Sequence, residues 1–192
     1  MNLTKLFETQ RKLDDRIVKE KRLEGQDLLP EKILALQVEL GELANEWRGF
    51  KFWSKDRQPR INEPFNVWVL FDNQEVPDIE YRNLVLEEYV DCLHFILSIG
   101  LYEGLENFSF QGAKDEYLEN GTDFSGDGVV ERFSSTFLYI SIFKEKGRAD
   151  DFIRIFLSFL GLGEMLGFTW EQIEIAYYDK NKINHERQAS GY

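Results

Sequence analysis

Two pairs of acidic residues in this sequence share the spacing acid-x-x-acid. Glu39 and Glu42 form the first pair, and Glu88 and Asp91 form the second. The two members of an i, i+3 pair lie on the same face of an α-helix. Four carboxylates that converge would repel one another unless a multivalent cation lies between them. The spacing therefore predicts a metal site built from two helices.

The ligand types indicate which metal this site would hold. Carboxylates are the only ligands that recur, because the two histidines lie far apart and Cys92 is the single cysteine. Mg²⁺ prefers such oxygen ligands, and Mn²⁺ could substitute for it. A di-iron bundle needs Glu-x-x-His motifs, and an EF-hand beginning at Asp123 would need an acid where Ser134 stands. The remaining alternative is a solvated acidic face or a set of structural ion pairs.

Basic and amide residues are concentrated in the last part of the chain. Lys180, Asn184 and Arg187 follow one another at i, i+4 and i+7, so they share one face of a helix. Arg187 could bind phosphate oxygens through two parallel hydrogen bonds. Together with Mg²⁺, this face would hold a polyphosphate. The alternative is a basic helix end that complements the helix dipole and frays into solvent.

Aromatic residues near the acidic pairs could contact a nucleobase. Trp53 stands near Lys51 after the first pair, and His94 and Phe95 follow Asp91. Each of these rings could instead pack in the core, and a core position is the simpler interpretation for Phe95.

Helical periodicity predicts the elements that position these residues. A first helix is expected at residues 3–21, and a second from Pro30 until Gly49 can end it. A third, at residues 79–101, is apolar on most sides, which is typical of a helix buried in a bundle. Further helices are expected at residues 133–146, at 151–165 and from Thr169, with Gln172 as its capping-box partner. The predicted fold is all-α, a bundle of about six helices in one domain covering residues 1–192.

Two regions interrupt this helical pattern. Residues 50–78 contain three of the four prolines, and their run Trp68-Val69-Leu70-Phe71 could be a strand, a hairpin or a packed loop. Residues 103–131 are polar and glycine-rich, which predicts loops around at most a short helix. We expect the first region to be an insertion and the second to be variable.

Composition excludes several classes of partner. The 192 residues carry a net charge of −12, which argues against nucleic acid or an anionic membrane. The apolar runs are too short and too polar to span a bilayer, and the first residues do not resemble a signal peptide. A cytoplasmic location is expected, in the host cytoplasm if a phage encodes the chain.

Taken in order, these motifs resemble those of the all-α, dimeric dUTP diphosphatases (dUTPases), which are related to the MazG-type nucleotide pyrophosphohydrolases. The matching blocks are Gln10-x-x-Leu13-Asp14, Glu39-x-x-Glu42 followed by Lys51-Phe52-Trp53, Glu88-x-x-Asp91-x-x-His94-Phe95, and Lys180-x-x-x-Asn184-x-x-Arg187-Gln188-x-x-Gly191-Tyr192. The resemblance implies that Mg²⁺ is held by Glu39, Glu42, Glu88 and Asp91. It implies phosphate contacts from Lys180, Asn184, Arg187 and Tyr192. Contacts to the base and sugar would come from Gln10, Asp14, Lys51, Trp53, His94 and Phe95.

The same resemblance implies an activity and an assembly. The reaction would be hydrolysis of dUTP to dUMP and pyrophosphate, by attack of a Mg-activated water on the α-phosphate, with Glu39 orienting or deprotonating the water. A homodimer is expected, while the use of dUDP and a protein partner at the two irregular regions are left open. The alternatives are a MazG-like pyrophosphohydrolase with different or broader nucleotide specificity, and a non-catalytic helical interaction module.

Overall fold

Helices account for most of the ordered elements of this chain. The computed structural model describes residues 2–71, 74–107, 112 and 128–191. Its helices in this part of the chain are α1 (Leu3–Lys21), α2 (Leu29–Trp47), α3 (Leu84–Tyr102), α4 (Val129–Lys146), α5 (Ala149–Met165) and α6 (Trp170–Ala189). Two strands, β1 (Glu63–Phe71) and β2 (Gln74–Arg82), lie between α2 and α3. The predicted all-α class with about six helices is confirmed, whereas most of the predicted loop region 103–131 lies outside the described residues.

Local capping signals set the helix ends. The first helix has the predicted bounds, and the Asn2 side chain accepts a hydrogen bond from the Lys5 N–H. At the start of α6 the predicted capping box is confirmed, because Thr169 and Gln172 each accept a hydrogen bond from the other's backbone N–H. Helix α2 ends at Trp47, because Arg48 adopts a left-handed conformation with φ 64° just before Gly49.

The third helix begins at Leu84 rather than at residue 79 as predicted. Residues 79–82 alternate apolar and charged side chains, which is the period of a strand, and they form the end of β2. The Asn83 side chain then accepts a hydrogen bond of 2.9 Å from the Leu86 N–H and starts α3. Strands β1 and β2 pair antiparallel from Glu63 opposite Arg82 to Phe71 opposite Gln74, so the apolar run at residues 68–71 belongs to a hairpin.

Helix α3 lies at the centre of the bundle, as its apolar sequence predicts. It packs against α1, α2, α5 and α6, while α4 packs on α2 and α5. Buried side chains from all six helices form the apolar core, and Cys92 is fully buried within it. In the described part of the chain no single helix is long and apolar enough to cross a membrane; α5 and α6 meet that test only as a pair, across a bend of 109°.

Gly163 of α5 fills a position that only a glycine fits. The buried Tyr89 ring stacks on Phe159 with centroids 4.2 Å apart, and a Cβ at residue 163 would lie 2.5 Å from the Tyr89 hydroxyl oxygen. We expect Gly163→Ala to lower the free energy of unfolding by about 2 kcal/mol in urea denaturation, because the ring has no room to move. Gly161→Ala is the matched control in the same helix.

A Cβ at residue 161 would meet its nearest atom at 3.7 Å, which is an ordinary contact. Gly161→Ala should therefore raise stability by about 0.5 to 1 kcal/mol through helix propensity. Equal effects of the two substitutions would contradict a steric clash at residue 163.

Candidate active site

Three of the four predicted metal ligands converge where α2 packs against α3. Glu39, Glu42 and Glu88 each present a carboxylate oxygen, and these oxygens all lie within 4.8 Å of one another. We call these three residues the acid cluster. Glu39 and Glu88 are half-buried and Glu42 is exposed, so the cluster lies at the surface end of a buried helix interface.

Asp91 lies beside the acid cluster and has a cation partner. Its carboxylate accepts a hydrogen bond from the Lys180 ammonium of α6, and each of the two side chains is 18% exposed. This pair forms because α6 packs against α3. Lys180, for which the sequence predicts a phosphate contact, thus contacts one of the predicted metal ligands.

Burial and nearby negative charge raise the pKa values of Glu39 and Glu88. The pKa of Glu39 is raised to about 7, first by burial and then by the charges of Asp91 and Glu42. Burial likewise raises the pKa of Glu88 to about 7, together with Asp91 and the other two glutamates. Lys180 opposes both shifts. A set of oxygen ligands with this excess negative charge fits a hard divalent cation such as Mg²⁺.

A cavity of about 280 Å³, which we call the site cavity, opens next to the acid cluster. Glu39 and Asp91 line one part of it, and Asn184 and Arg187 of α6 line another. The structure therefore brings two predicted phosphate contacts to the predicted metal ligands. The other lining residues are Gln10, Leu13, Asp14, Ile17, His94, Phe95, Ser98 and Gln188.

Hydrogen bonds fix the orientation of Gln10 inside this cavity. Its Nε2 donates to Asp14 Oδ1 at 2.7 Å, so its Oε1 points the other way. That oxygen accepts a hydrogen bond of 2.8 Å from the Tyr177 hydroxyl and lies 2.7 Å from Nδ1 of His94. Because an amide oxygen only accepts hydrogen bonds, His94 must carry its proton on Nδ1.

His94 is a neutral hydrogen-bond acceptor as a result. The ring is buried and stacks on Tyr177 with centroids 4.3 Å apart, and burial lowers its pKa to about 3. Its Nε2 is buried and has no hydrogen-bond partner among the described residues. His94 lines the site cavity, so this unpaired acceptor belongs to a residue of the site.

A comparison with known protein families shows which family this chain belongs to. The family model described as dUTPase matches residues 2–69 and 64–192. This chain belongs to the dUTPase family. Membership implies a hydrolase that acts on dUTP. A comparison with curated proteins finds no match to this chain.

The predicted base and sugar contacts of this dUTPase family member fall into two groups. Gln10, Asp14, His94 and Phe95 line the site cavity together. Trp53, with Lys51, lies in the segment that follows α2 and does not line it.

Trp53 contacts its own segment, and Lys51 contacts α2. The Trp53 ring is exposed and packs edge-on against Phe50 and Phe52, at 5.7 and 5.1 Å between centroids. Lys51 donates a hydrogen bond to the Asn45 side chain. Contacts of these two residues with a base stay predictions, and Tyr192 lies outside the described residues.

Four residues line the dUTPase site cavity without having been predicted: Leu13, Ile17, Ser98 and Gln188. Ser98 donates a hydrogen bond to Asp14 Oδ2, and Lys32 lies 3.5 Å from the same oxygen. Helical spacing could have indicated Ser98, since it follows Asp91 at i+7. Leu13 and Gln188 belong to the matching blocks of the sequence, although no contact was predicted for them, whereas Ile17 lies outside those blocks.

Gln10 is expected to contribute strongly to the stability of this network. Gln10→Leu would leave His94 Nδ1 and one Asp14 oxygen without their Gln10 partner, and the Tyr177 hydroxyl would keep only its 3.4 Å hydrogen bond to the Leu6 carbonyl oxygen. We expect a loss of about 2 to 3 kcal/mol in the free energy of unfolding, measured by urea denaturation. Tyr177→Phe removes one donor and leaves the His94 bond to Gln10, so its loss should be about 1 kcal/mol. A larger loss for Tyr177→Phe would contradict the central place of Gln10.

Proposed function

We propose that this protein hydrolyses dUTP to dUMP and pyrophosphate, with Mg²⁺ held by Glu39, Glu42, Glu88 and Asp91. The observation that carries the proposal is the convergence of three carboxylates within 4.8 Å beside a cavity of about 280 Å³. When bound there, Mg²⁺ would lower the pKa of the attacking water and offset the charge of the triphosphate. Mn²⁺ would offer the same chemistry with the same oxygen ligands.

The protein's own side chains would place the reacting groups. Glu39 belongs to the acid cluster and also lines the site cavity, so it is positioned to orient the water and accept its proton. Asn184 and Arg187 face the same cavity and would hold phosphate oxygens. Lys180 holds Asp91 through their ion pair and adds a positive charge next to the cluster.

The fixed tautomer of His94 supports discrimination between uracil and cytosine. Its Nε2 is an acceptor without a partner among the described residues. Uracil offers a donor at N3, whereas cytosine offers an acceptor there. A buried acceptor left without a donor is costly, which gives such sites strong discrimination. The wall of Phe95, Leu13 and Ile17 would contact the apolar faces of the base and the deoxyribose.

Pyrophosphate release tests the proposal directly. The assay compares dUTP, dTTP, dCTP and UTP, each with Mg²⁺, with Mn²⁺ and with excess chelator, and includes dUDP through phosphate release. We expect turnover of dUTP with either metal, no turnover with chelator, and little turnover of the other triphosphates. Turnover of several triphosphates would favour a broader MazG-like pyrophosphohydrolase, and absence of any turnover would favour an interaction module.

A further inference from the structure

Asp14 lies in a wall between two cavities. It lines the site cavity and a second cavity of about 260 Å³, which Lys32 of α2 also lines. The Lys32 ammonium lies 3.5 Å from Oδ2 of Asp14, and each of the two side chains is 18% exposed. The Ser98 hydroxyl donates to the same oxygen, and Gln10 Nε2 donates to Oδ1 at 2.7 Å. Both oxygens of Asp14 thus bind groups of the protein, which favours a positioning role over a contact with the base.

The Asp14 carboxylate dictates how the Gln10 amide is turned. A carboxylate has acceptors only, so the Gln10 NH₂ group has to face it. The Gln10 oxygen then faces Nδ1 of His94 at 2.7 Å, and that nitrogen has to carry the proton. Lys32 has donors only, so it holds the negative charge of Asp14 without competing for the Gln10 NH₂ group.

Tyr177, the other partner of the Gln10 oxygen, does not impose this orientation. Its hydroxyl donates to that oxygen at 2.8 Å, and the Leu6 carbonyl oxygen lies 3.4 Å away as a second acceptor. A hydroxyl can donate or accept, so Tyr177 could equally accept from a reversed Gln10 amide while donating to Leu6. A neutral imidazole can likewise hold its proton on either nitrogen. The direction of these hydrogen bonds is therefore set at the Asp14 end.

His94 carries this direction into the site cavity. It lines that cavity, and its Nε2 is buried and has no hydrogen-bond partner among the described residues. With the proton on Nδ1 this nitrogen is an acceptor, and in the other tautomer it is a donor. Uracil donates at N3 and cytosine accepts there, so the two tautomers prefer different bases.

We propose that Asp14 is a positioning residue: its carboxylate fixes, through Gln10, the proton of His94 on Nδ1 and so makes the site select uracil over cytosine. The preference for a base rests on the proposed function. The position of the proton is a property of the free protein, and it can be measured without a substrate.

Asp14→Asn should reverse this set of hydrogen bonds, because Lys32 still has donors only. The new side-chain amide has to turn its oxygen toward Lys32 and its NH₂ group toward Gln10. Gln10 then accepts from that group and presents its own NH₂ to His94, whose Nδ1 has to accept. By exchange with solvent, Nδ1 loses its proton and Nε2 gains one, so the ring becomes a donor where it was an acceptor.

NMR correlation of the imidazole protons and nitrogens measures this tautomer in the full chain, without metal or nucleotide. The chain has two histidines, and His185→Gln assigns their signals. We expect Nδ1 to be protonated in the wild type and Nε2 in Asp14→Asn. Lys32→Met is the matched control and should keep the proton on Nδ1, because a carboxylate still faces Gln10. Protonation of Nε2 in the wild type, or of Nδ1 in Asp14→Asn, would overturn the proposal.

The double variant Asp14→Asn/Lys32→Met keeps the test valid if Asp14→Asn alone does not fold. Without the ammonium the new amide can turn either way, because the Ser98 hydroxyl can accept as well as donate. Both tautomers of His94 should then be populated. A proton on Nδ1 alone in this variant would show that the carboxylate does not fix the tautomer.

Rates of pyrophosphate release with Mg²⁺ test the selection of the base. Asp14→Asn should lower the ratio of kcat/KM for dUTP to that for dCTP by about 10- to 100-fold, the usual effect of one unpaired buried polar group. The ratio of dUTP to dTTP should not change, because thymine carries the same N3 donor. A merely structural role would lower all three rates together. A reversed tautomer with an unchanged ratio of dUTP to dCTP would overturn the selection, whereas a wild type that hydrolyses none of them would contradict the proposed function and leave the NMR result standing.

Discussion

Glu88→Gln is expected to lower kcat for dUTP by about 10²- to 10³-fold at saturating Mg²⁺, the usual effect of removing one electrostatic contact to the transition state. Glu88 supplies one of the three oxygens of the acid cluster, and glutamine keeps its size while removing its charge. The same change should raise stability in the absence of metal, because repulsion within the cluster decreases. Pyrophosphate release and thermal unfolding with chelator measure the two effects.

Glu87→Gln provides the matched control for this experiment. Glu87 is the preceding residue of α3 and forms an ion pair with Arg82 at the base of the hairpin, outside the acid cluster. Its substitution should leave kcat unchanged and alter stability by less than about 1 kcal/mol. If Glu88→Gln kept full activity and lost stability, the acids would be structural ion pairs rather than metal ligands.

The second large effect is a pH dependence of stability that Glu39 and Glu88 cause and that bound metal removes. With chelator present, the double variant Glu39→Gln/Glu88→Gln should exceed the wild type in Tm by an amount that grows between pH 5 and pH 8. Both glutamates have a folded pKa of about 7 against an ordinary value of 4.5. As pH rises through this range, the unfolded chain releases protons that the folded chain retains, so wild-type stability falls until about pH 7.

Comparing the wild type with the double variant separates the contribution of Glu39 and Glu88 from that of the other titrating groups. The folded pKa of His94 is about 3, so its titration raises stability between about pH 3 and pH 6.5, but equally in both proteins. Saturating Mg²⁺ should abolish the part of the wild-type pH dependence that comes from Glu39 and Glu88. It should also stabilise the wild type by about 2.7 kcal/mol at a hundredfold excess over Kd. Parallel Tm curves for the two proteins with chelator would contradict the raised pKa values.

Much of the fold and half of the site could be predicted because they depend on local patterns. The helix α1, the capping box of Thr169 and the central position of α3 follow from spacing within a few residues. The two acidic pairs were found in the same way, since an i, i+3 spacing places both acids on one helix face. The start of α3 was missed because strand and helix patterns compete over the short stretch 79–82.

By itself the sequence determined which helices form and which faces carry the acids, since both depend on the helical period. Only the tertiary structure decided how distant side chains pair. It joined Gln10 to His94 across 84 residues and Lys180 to Asp91 across 89. It also left Trp53 on the surface, away from the site cavity. These outcomes depend on how whole helices pack, and no spacing along the chain encodes the distance between side chains on different helices.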